Sequence, residues 1–380
     1  MESRKTVRLT GEDGHYFFGY YDLNAWDKGN NYHLCHKVPF FDRLPGLEDT
    51  AVIGMIRMSD KKFIELAETK AWNFQQGSML QWLSGKDERI IYNDRDGAKY
   101  ISIILDIKTG KKKVLPLPIA SVSRDGKYAL SINFSRLFTF RPGYGYAGIK
   151  DPFENELHPK KDGIFLMELE TGTFMLLLSL LDVAKLKPEK EMLNSKTIIN
   201  HITFNPDSSR FVFLNRFPKQ EGGSATGVFT ADLNGENIKS FGDYGYASHY
   251  YWINPHELLF YSDFKGQGQE LYIYNDSTGE QKIVDRKVFT RDTHMRGSAD
   301  GRWMLSDTYP DDNRLSLLRL YDLKEKREVV LGSYYSPEPA NIDIRCDLHP
   351  RWNSTSSMVS FDSIHEGRRG VYAMDLSDIV

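Results

Sequence analysis

The sequence predicts an all-β fold: a seven-bladed β-propeller with four antiparallel strands per blade and one short rim helix. Two repeated signatures and their spacing carry this. The first is an aromatic or small residue entering a turn that precedes an apolar strand. It occurs at Trp26-Asp27-Lys28-Gly29, Trp82-Leu83-Ser84-Gly85, Val122-Ser123-Arg124-Asp125-Gly126, Phe204-Asn205-Pro206-Asp207, Trp252-Ile253-Asn254-Pro255, Gly297-Ser298-Ala299-Asp300-Gly301 and Trp352-Asn353-Ser354. The second is an apolar strand ending in a polar turn, as in Leu105-Asp106-Ile107-Lys108-Thr109-Gly110 and Met167-Glu168-Leu169-Glu170-Thr171-Gly172, also found seven times. A period of about 50 residues with two such marks per unit is the pattern of propeller blades.

The elements follow in order. The start Thr6-Val7-Arg8-Leu9-Thr10 reads as a strand that pairs with the last blade and closes the ring, since an open blade edge exposes unpaired backbone groups. Residues 1–380 are then one propeller domain. Turns of the Asp-x-x-Thr-Gly type supply the tight geometry between antiparallel strands. Alternation shows in Arg210-Phe211-Val212-Phe213-Leu214 and Glu257-Leu258-Leu259-Phe260-Tyr261. Two stretches break the pattern. Arg136 to Lys161 reads as a long loop rich in Tyr, Gly and Pro, and loops of that length are more often functional than incidental. Its Arg141 and Tyr144 are candidate ligand contacts. Leu176 to Met192 has helical spacing, with Leu177, Leu180, Leu181 and Ala184 on one side and Pro188 ending it, and reads as a helix packed on the rim.

Bulk properties narrow the partners. A formal charge of -3 gives no electrostatic reason for nucleic acid or an anionic membrane. No run reaches the ~18 apolar residues of a membrane helix. The two cysteines, Cys35 and Cys346, lie far apart, which argues against a disulfide framework and leaves a single bridge open. The N-terminus shows no apolar core of a signal peptide. The expected location is cytoplasmic if that N-terminus is native, and periplasmic or secreted if a leader was removed.

Four of the 10 histidines fall at one phase of the repeat: His201, His249, His294 and His349 stand three residues before the first signature in its last four copies. Equivalent positions in a closed repeat array converge on one axis. A histidine just before an innermost strand sits at the mouth of the central channel. Their surroundings differ. Asn200-His201 precedes a strand whose hairpin returns Arg216 toward the same face. His249 lies among aromatics, Tyr246 included. His294 and His349 lie beside carboxylates, and Asp347 and His349 at i, i+2 point to one side of an extended segment. Imidazoles with a carboxylate suit a divalent metal of intermediate hardness.

Other candidates carry less. Trp72-Asn73-Phe74-Gln75-Gln76-Gly77 precedes a blade strand; Trp72 either stacks on a sugar, with Gln75 and Gln76 bonding hydroxyls, or packs the blade. His33 and His36 face different sides of their strand. No serine sits in a nucleophile elbow and no glycine-rich phosphate loop follows a strand. A base, a fixed cation and a metal at one aromatic channel mouth suit an acidic sugar. In β-elimination across a uronate glycosidic bond the proton removed lies α to a carboxylate. Neutralising that carboxylate raises its acidity, and a neutral histidine can then take the proton.

The chain resembles the seven-bladed β-propeller polysaccharide lyases, the oligogalacturonate and ulvan lyases. The likeness is sharpest at Gly19-Tyr20-Tyr21-Asp22, Trp72 to Gly77, Asn200-His201-Ile202 with Arg216, Ser248-His249-Tyr250, Asp292-Thr293-His294 and His349-Pro350. It implies that His249 is the proton-abstracting base, with His201 assisting as acid or in orientation, and that Arg216 grips the uronate carboxylate. It implies a metal, typically manganese, on His294 and His349 together with a glutamine and a further histidine. The chain departs from the pattern there. Asp347 stands where the further histidine is expected and Ile344 falls near the expected glutamine; a carboxylate tilts the site toward calcium. The ulvan lyase pattern, a His and Tyr pair with an Arg, maps onto His201, Tyr246 and Arg216. The expected substrate is an acidic oligosaccharide or polysaccharide. Two other classes stay open: a glycoside hydrolase, with Asp292 and Asp347 as the only obvious carboxylate pair, and a non-catalytic propeller scaffold.

Overall fold

The computed structural model describes residues 4–83, 88–263, 266 and 268–380. Ser84 and Gly85 of the second signature copy, and Met1 to Ser3, lie outside them. Seven four-stranded antiparallel sheets form the blades. Blade 1 is His15–Phe17, Tyr32–Val38, Ala51–Arg57 and Lys62–Thr69. Blade 2 is Gln81–Trp82, Arg89–Asp96, Lys99–Asp106 and Lys112–Leu115. Blade 3 is Ser121–Val122, Tyr128–Ser131, Gly163–Glu168 and Phe174–Ser179. Blade 4 is Ile198–Phe204, Arg210–Pro218, Ser224–Asp232 and Lys239–Gly245. Blade 5 is Ala247–Trp252, Glu257–Asp263, Gln269–Asn275 and Gln281–Ile283. Blade 6 is Met295–Gly297, Trp303–Asp307, Leu315–Asp322 and Arg327–Tyr335. Blade 7 takes Arg351–Trp352, Met358–Ser363 and Gly370–Asp375 from the end of the chain and Val7–Arg8 from its start, with Val7 opposite Ala373.

The two signatures have distinct physical jobs. The first closes each innermost strand. Its tryptophans are buried between blades, and three of their indole N–H groups reach the preceding blade: Trp26 donates to Ser360 Oγ, Trp82 to the Ala25 carbonyl and Trp352 to the Arg296 carbonyl. Burying an indole stabilises by on the order of 4 kcal/mol, so these three blades are fastened to their neighbours. The second signature turns the third strand into the fourth. Asp106 Oδ1 accepts from the Thr109 N–H and hydroxyl, and Gly110 takes φ +72°, where a Cβ is disfavoured.

Among the described residues, three short α-helices replace the single rim helix expected from the sequence. Phe134–Phe140 (α1) opens the segment that reads as a long loop, capped by Asn133, whose side chain accepts from the Arg136 N–H. Leu180–Leu186 (α2) is shorter than its leucine spacing suggests. Phe174–Ser179 before it is the fourth strand of blade 3, with Phe165 opposite Leu176. The helix starts only at Ser179, which forms a reciprocal cap with Asp182. Lys190–Leu193 (α3) follows Pro188. Both cysteines are buried free thiols, so no disulfide joins them.

Candidate functional site

The four in-phase histidines converge. His201 and His249 lie within the innermost strands of blades 4 and 5, and His294 and His349 just before those of blades 6 and 7. All four are buried, and successive ring centroids are 6.0, 4.1 and 4.3 Å apart. They form a row around one side of the channel mouth.

Tyr20 fills the space beside that row. Its ring lies 5.1 Å from His201, nearly parallel, and 6.4, 6.2 and 5.1 Å from His249, His294 and His349. Its hydroxyl is 3.2 Å from His201 Nε2. The segment is fixed from below by Asp362, which accepts from the Phe18 and Gly19 amides and is itself paired with Arg351 at 2.7 Å. Gly19 is required there: it takes φ +127°, and a Cβ would meet the Gln76 backbone at 2.9 Å. Tyr20 is a site residue that the sequence shows only as part of a motif.

His249 is held through one ring nitrogen. Its Nδ1 is 3.0 Å from Asp292 Oδ1, while Tyr246 donates to Asp292 Oδ2 at 3.0 Å. A carboxylate only accepts, so Nδ1 carries the proton and Nε2 keeps its lone pair. Burial pushes the His249 imidazole below its ordinary range, outweighing the pull of Asp292. Burial works to raise Asp292, yet His249, Ser248 and His294 outweigh it and hold the carboxyl at about 2. At neutral pH the pair is therefore a neutral imidazole on an ionised carboxylate.

His294, Asp347 and His349 form a second group, with candidate ligand atoms all within 4.8 Å of one another. Both imidazoles are turned so that Nε2 faces inward. Asp307 takes His294 Nδ1 at 2.9 Å and also accepts the His349 backbone N–H at 3.1 Å, and the Gly19 carbonyl takes His349 Nδ1 at 2.9 Å. The two Nε2 atoms are buried and make no hydrogen bond. Burial, with the cations of His294, Arg351 and Arg345, keeps His349 well below its usual range and so neutral. Burial works to lower His294, yet Asp307 outweighs it and raises the imidazole, so His294 must release its Nε2 proton before it can ligate. With that proton gone, imidazoles steered by a carboxylate and a carbonyl and converging beside a carboxylate fit a divalent metal ion. Arg345 Nε lies 2.7 Å from Asp347 Oδ2 and holds that carboxylate in place.

Arg216 lies on the His201 side. It is 5 % exposed, its Nη2 donates to the Ala247 carbonyl at 3.3 Å and its Nε has no partner. Among the described residues it makes no ion pair. Burial, and then repulsion from Arg141, lowers its pKa to about 10. His201, in a β-bulge with φ +50°, is held well below its ordinary range by burial and by Arg216. Strained backbone of this kind persists only where surrounding structure enforces it. Both amide atoms of Asn200 are buried and unpartnered, as is His201 Nδ1.

The remaining expected contacts divide. Tyr144 is buried edge-on to His201 at 5.3 Å and bonds Arg345, and Arg141 lies 4.2 Å over its ring, which places both beside the histidine row. Gln76 lines a cavity of about 10 Å³ with Tyr20, Asp22 and His201, room for one water. Gln75 donates to the Arg345 carbonyl and leaves its Oε1 unpartnered. Trp72 takes the packing reading. Its ring is buried against Phe17, Phe40 and Phe74 and its N–H reaches the Asp49 carbonyl, an arrangement with no exposed face for a sugar. His33 bonds Ser360 in blade 7, and His36 bonds Ser78 ahead of blade 2, on opposite sides as the alternation requires.

No family model matches the sequence, and no curated protein matches it. Solved structures do. An oligogalacturonate lyase in complex with manganese is 15% identical, with a TM-score of 0.71 over 99% of this chain and 94% of that one. An oligogalacturonate lyase from Vibrio parahaemolyticus is 16% identical, with a TM-score of 0.70 over 98% and 93%. The tricorn protease is 12% identical at a TM-score of 0.56, with this chain covering only 35% of its length. Over nearly its whole length, the chain has the seven-bladed propeller fold of the oligogalacturonate lyases.

Proposed function

We propose that the protein is a lyase that cleaves uronate-containing oligosaccharides or polysaccharides by β-elimination. The observation that carries this is Arg216: a buried guanidinium with no carboxylate partner among the described residues, at the same channel mouth as a neutral histidine whose free Nε2 is fixed by Asp292. An uncompensated buried cation is costly. A uronate carboxylate supplies the missing charge.

In this reading Arg216 binds the carboxylate and withdraws charge from it. His249 Nε2 takes the proton from the adjacent ring carbon. The electron pair of that C–H bond forms the ring double bond as the glycosidic C–O bond breaks. The leaving oxygen takes a proton from the His201 and Tyr20 pair. Burial pushes the Tyr20 phenol well up, and a phenol still protonates an alkoxide readily. Bound at His294, Asp347 and His349, a divalent metal would supply Lewis-acid stabilisation of the developing enolate charge. Two nitrogen donors favour a transition ion such as manganese over calcium, which takes oxygen ligands.

The hydrolase alternative asks for one carboxyl kept protonated. Asp292, held at about 2, does not supply it. The test is incubation with uronate oligosaccharides and manganese while the ultraviolet absorbance of the unsaturated product is followed. Sugar release without that absorbance would point to hydrolysis, and a His249→Ala protein with full activity removes His249 as the base.

A further inference from the structure

The row of histidines accounts for one uronate, and the structure has a second region that it does not use. A cavity of about 590 Å³ opens between α1 and the hairpin of blade 4, within the about 300–1,000 Å³ of small-molecule sites. Arg136, Arg141, Lys196, Ile198 and Pro218 are among the residues that line it, and none of its lining residues is acidic. It adjoins the site. Ile198 is paired across the strand ladder with Arg216, and such pairs project to the same sheet face. On the other side, Arg141 sits over Tyr144, which touches His201.

The charges in this cavity are sorted in an unusual way. Arg136 is fully committed. Its guanidinium bonds the Thr197, Phe153, Glu156 and Leu157 carbonyls and pairs with Asp151 at 3.1 Å, fixing the wall. Arg141 and Lys196 are half-buried, and among the described residues neither makes an ion pair. With Arg216 they form a track of three cations that make no ion pair among the described residues, Lys196 acting on Glu154 only at longer range. Like charges left unpaired and held together repel one another, and their arrangement is favoured only when an anion lies between them. A chain that carries several carboxylates matches three such cations better than a single anion does.

We propose that this cavity binds the uronate units next to the reacting one, with Arg141 and then Lys196 taking successive carboxylates, so that the protein acts on chains of at least three uronates in preference to a disaccharide. This rests on the lyase reading for the unit at Arg216. The test uses digalacturonate, trigalacturonate and tetragalacturonate in calorimetry with the His249→Ala protein, which removes the proposed base. The expected result is that the trimer binds about tenfold tighter than the dimer at low ionic strength, with the gain shrinking in salt. Lys196→Gln, which keeps the apolar stem, should reduce the trimer-to-dimer ratio, and Arg141→Gln should weaken dimer and trimer alike. Equal affinities for all three lengths overturn the proposal, as does a ratio that Lys196→Gln leaves unchanged, or no binding at all. The lyase reading is followed separately with the unsubstituted protein. Length-dependent binding without unsaturated product overturns the lyase reading and supports the track; product formation with length-independent affinity does the reverse.

Discussion

His249 and Asp292 form a buried pair, Nδ1 to Oδ1 at 3.0 Å, and Asp292 is shared with the Tyr246 hydroxyl. The carboxylate decides which ring nitrogen carries the proton and so leaves the other nitrogen with its lone pair. Asp292→Asn keeps the shape but can donate where Asp292 only accepts, and so favours the opposite tautomer. Turnover should fall by roughly 10³–10⁴ with little change in KM. Tyr246→Phe removes only one hydrogen bond to Asp292, about 1 kcal/mol, and should cost tenfold or less. Similar losses in both variants would mean that Asp292 acts by fold and not by tautomer.

Metal affinity should depend on a residue that does not face the ion. Asp307 orients His294 through Nδ1 and His349 through its backbone N–H. Asp307→Asn should weaken manganese binding by about 10–100-fold, read as metal per chain after equilibrium dialysis. His294→Ala should leave the protein folded and without bound metal. Stoichiometric manganese in the His294→Ala protein would show that the ion sits elsewhere.

Arg216 should be needed for activity and not for stability. Its substitution by Gln removes a buried cation that has no ion pair among the described residues, so the melting temperature should hold or rise. The same change should lower kcat/KM on a uronate substrate by roughly 10²–10³, the scale of losing one charge-stabilising donor. A fall in melting temperature with unchanged kcat/KM would make Arg216 a structural residue.

Arg136 shows the opposite behaviour. It is buried, its guanidinium is anchored by four carbonyls and the carboxylate of Asp151, and it ties the α1 segment to the start of blade 4. Arg136→Met leaves Asp151 as an uncompensated buried charge and should destabilise by about 3–5 kcal/mol, visible as a lower midpoint in chemical unfolding.

Acid should weaken the protein partly through His36. Its Nδ1 donates to the Phe18 carbonyl and its Nε2 accepts the Ser78 N–H, so only the neutral ring satisfies both. Burial lowers its pKa to about 4. The unfolded ring titrates near 6.5. The unfolded state therefore binds the proton first, so the stabilisation is complete above pH 6.5 and is lost as the pH falls through 4, a total of about 3 kcal/mol. His33, His201 and His349 shift in the same direction and add to the slope. His36→Gln should reduce the proton uptake on unfolding in that window by close to one; an unchanged slope would exclude His36 as a contributor.

Much of the blade pattern was legible because its marks are local. An Asp side chain bonding the amide three residues on, or an indole at the end of a strand, leaves a trace in a few consecutive letters. The rim helix was misplaced because Phe174–Ser179 and Leu180–Leu186 are both leucine-rich, and only the Ser179 cap divides strand from helix. Asp307 and Arg345 were missed for another reason. Nothing in the local sequence marks Asp307 as the orienting partner of His294, and Arg345 meets Tyr144 across 201 positions. Trp72 was open to two readings because a tryptophan before a strand looks the same whether it packs or stacks.

By itself the sequence determined the number of blades and the phase that gathers His201, His249, His294 and His349 at one mouth, since repeated local turns impose repeated backbone geometry. Only the tertiary structure decided what each imidazole can do. The Gly19 carbonyl and Tyr20 reach the row from blade 1, Asp292 comes from the connection between blades 5 and 6, and Asp307 from the second strand of blade 6, all placed by pairing and packing between segments apart in sequence. They fix which nitrogen of each histidine is engaged, and burial then keeps His201, His249 and His349 neutral.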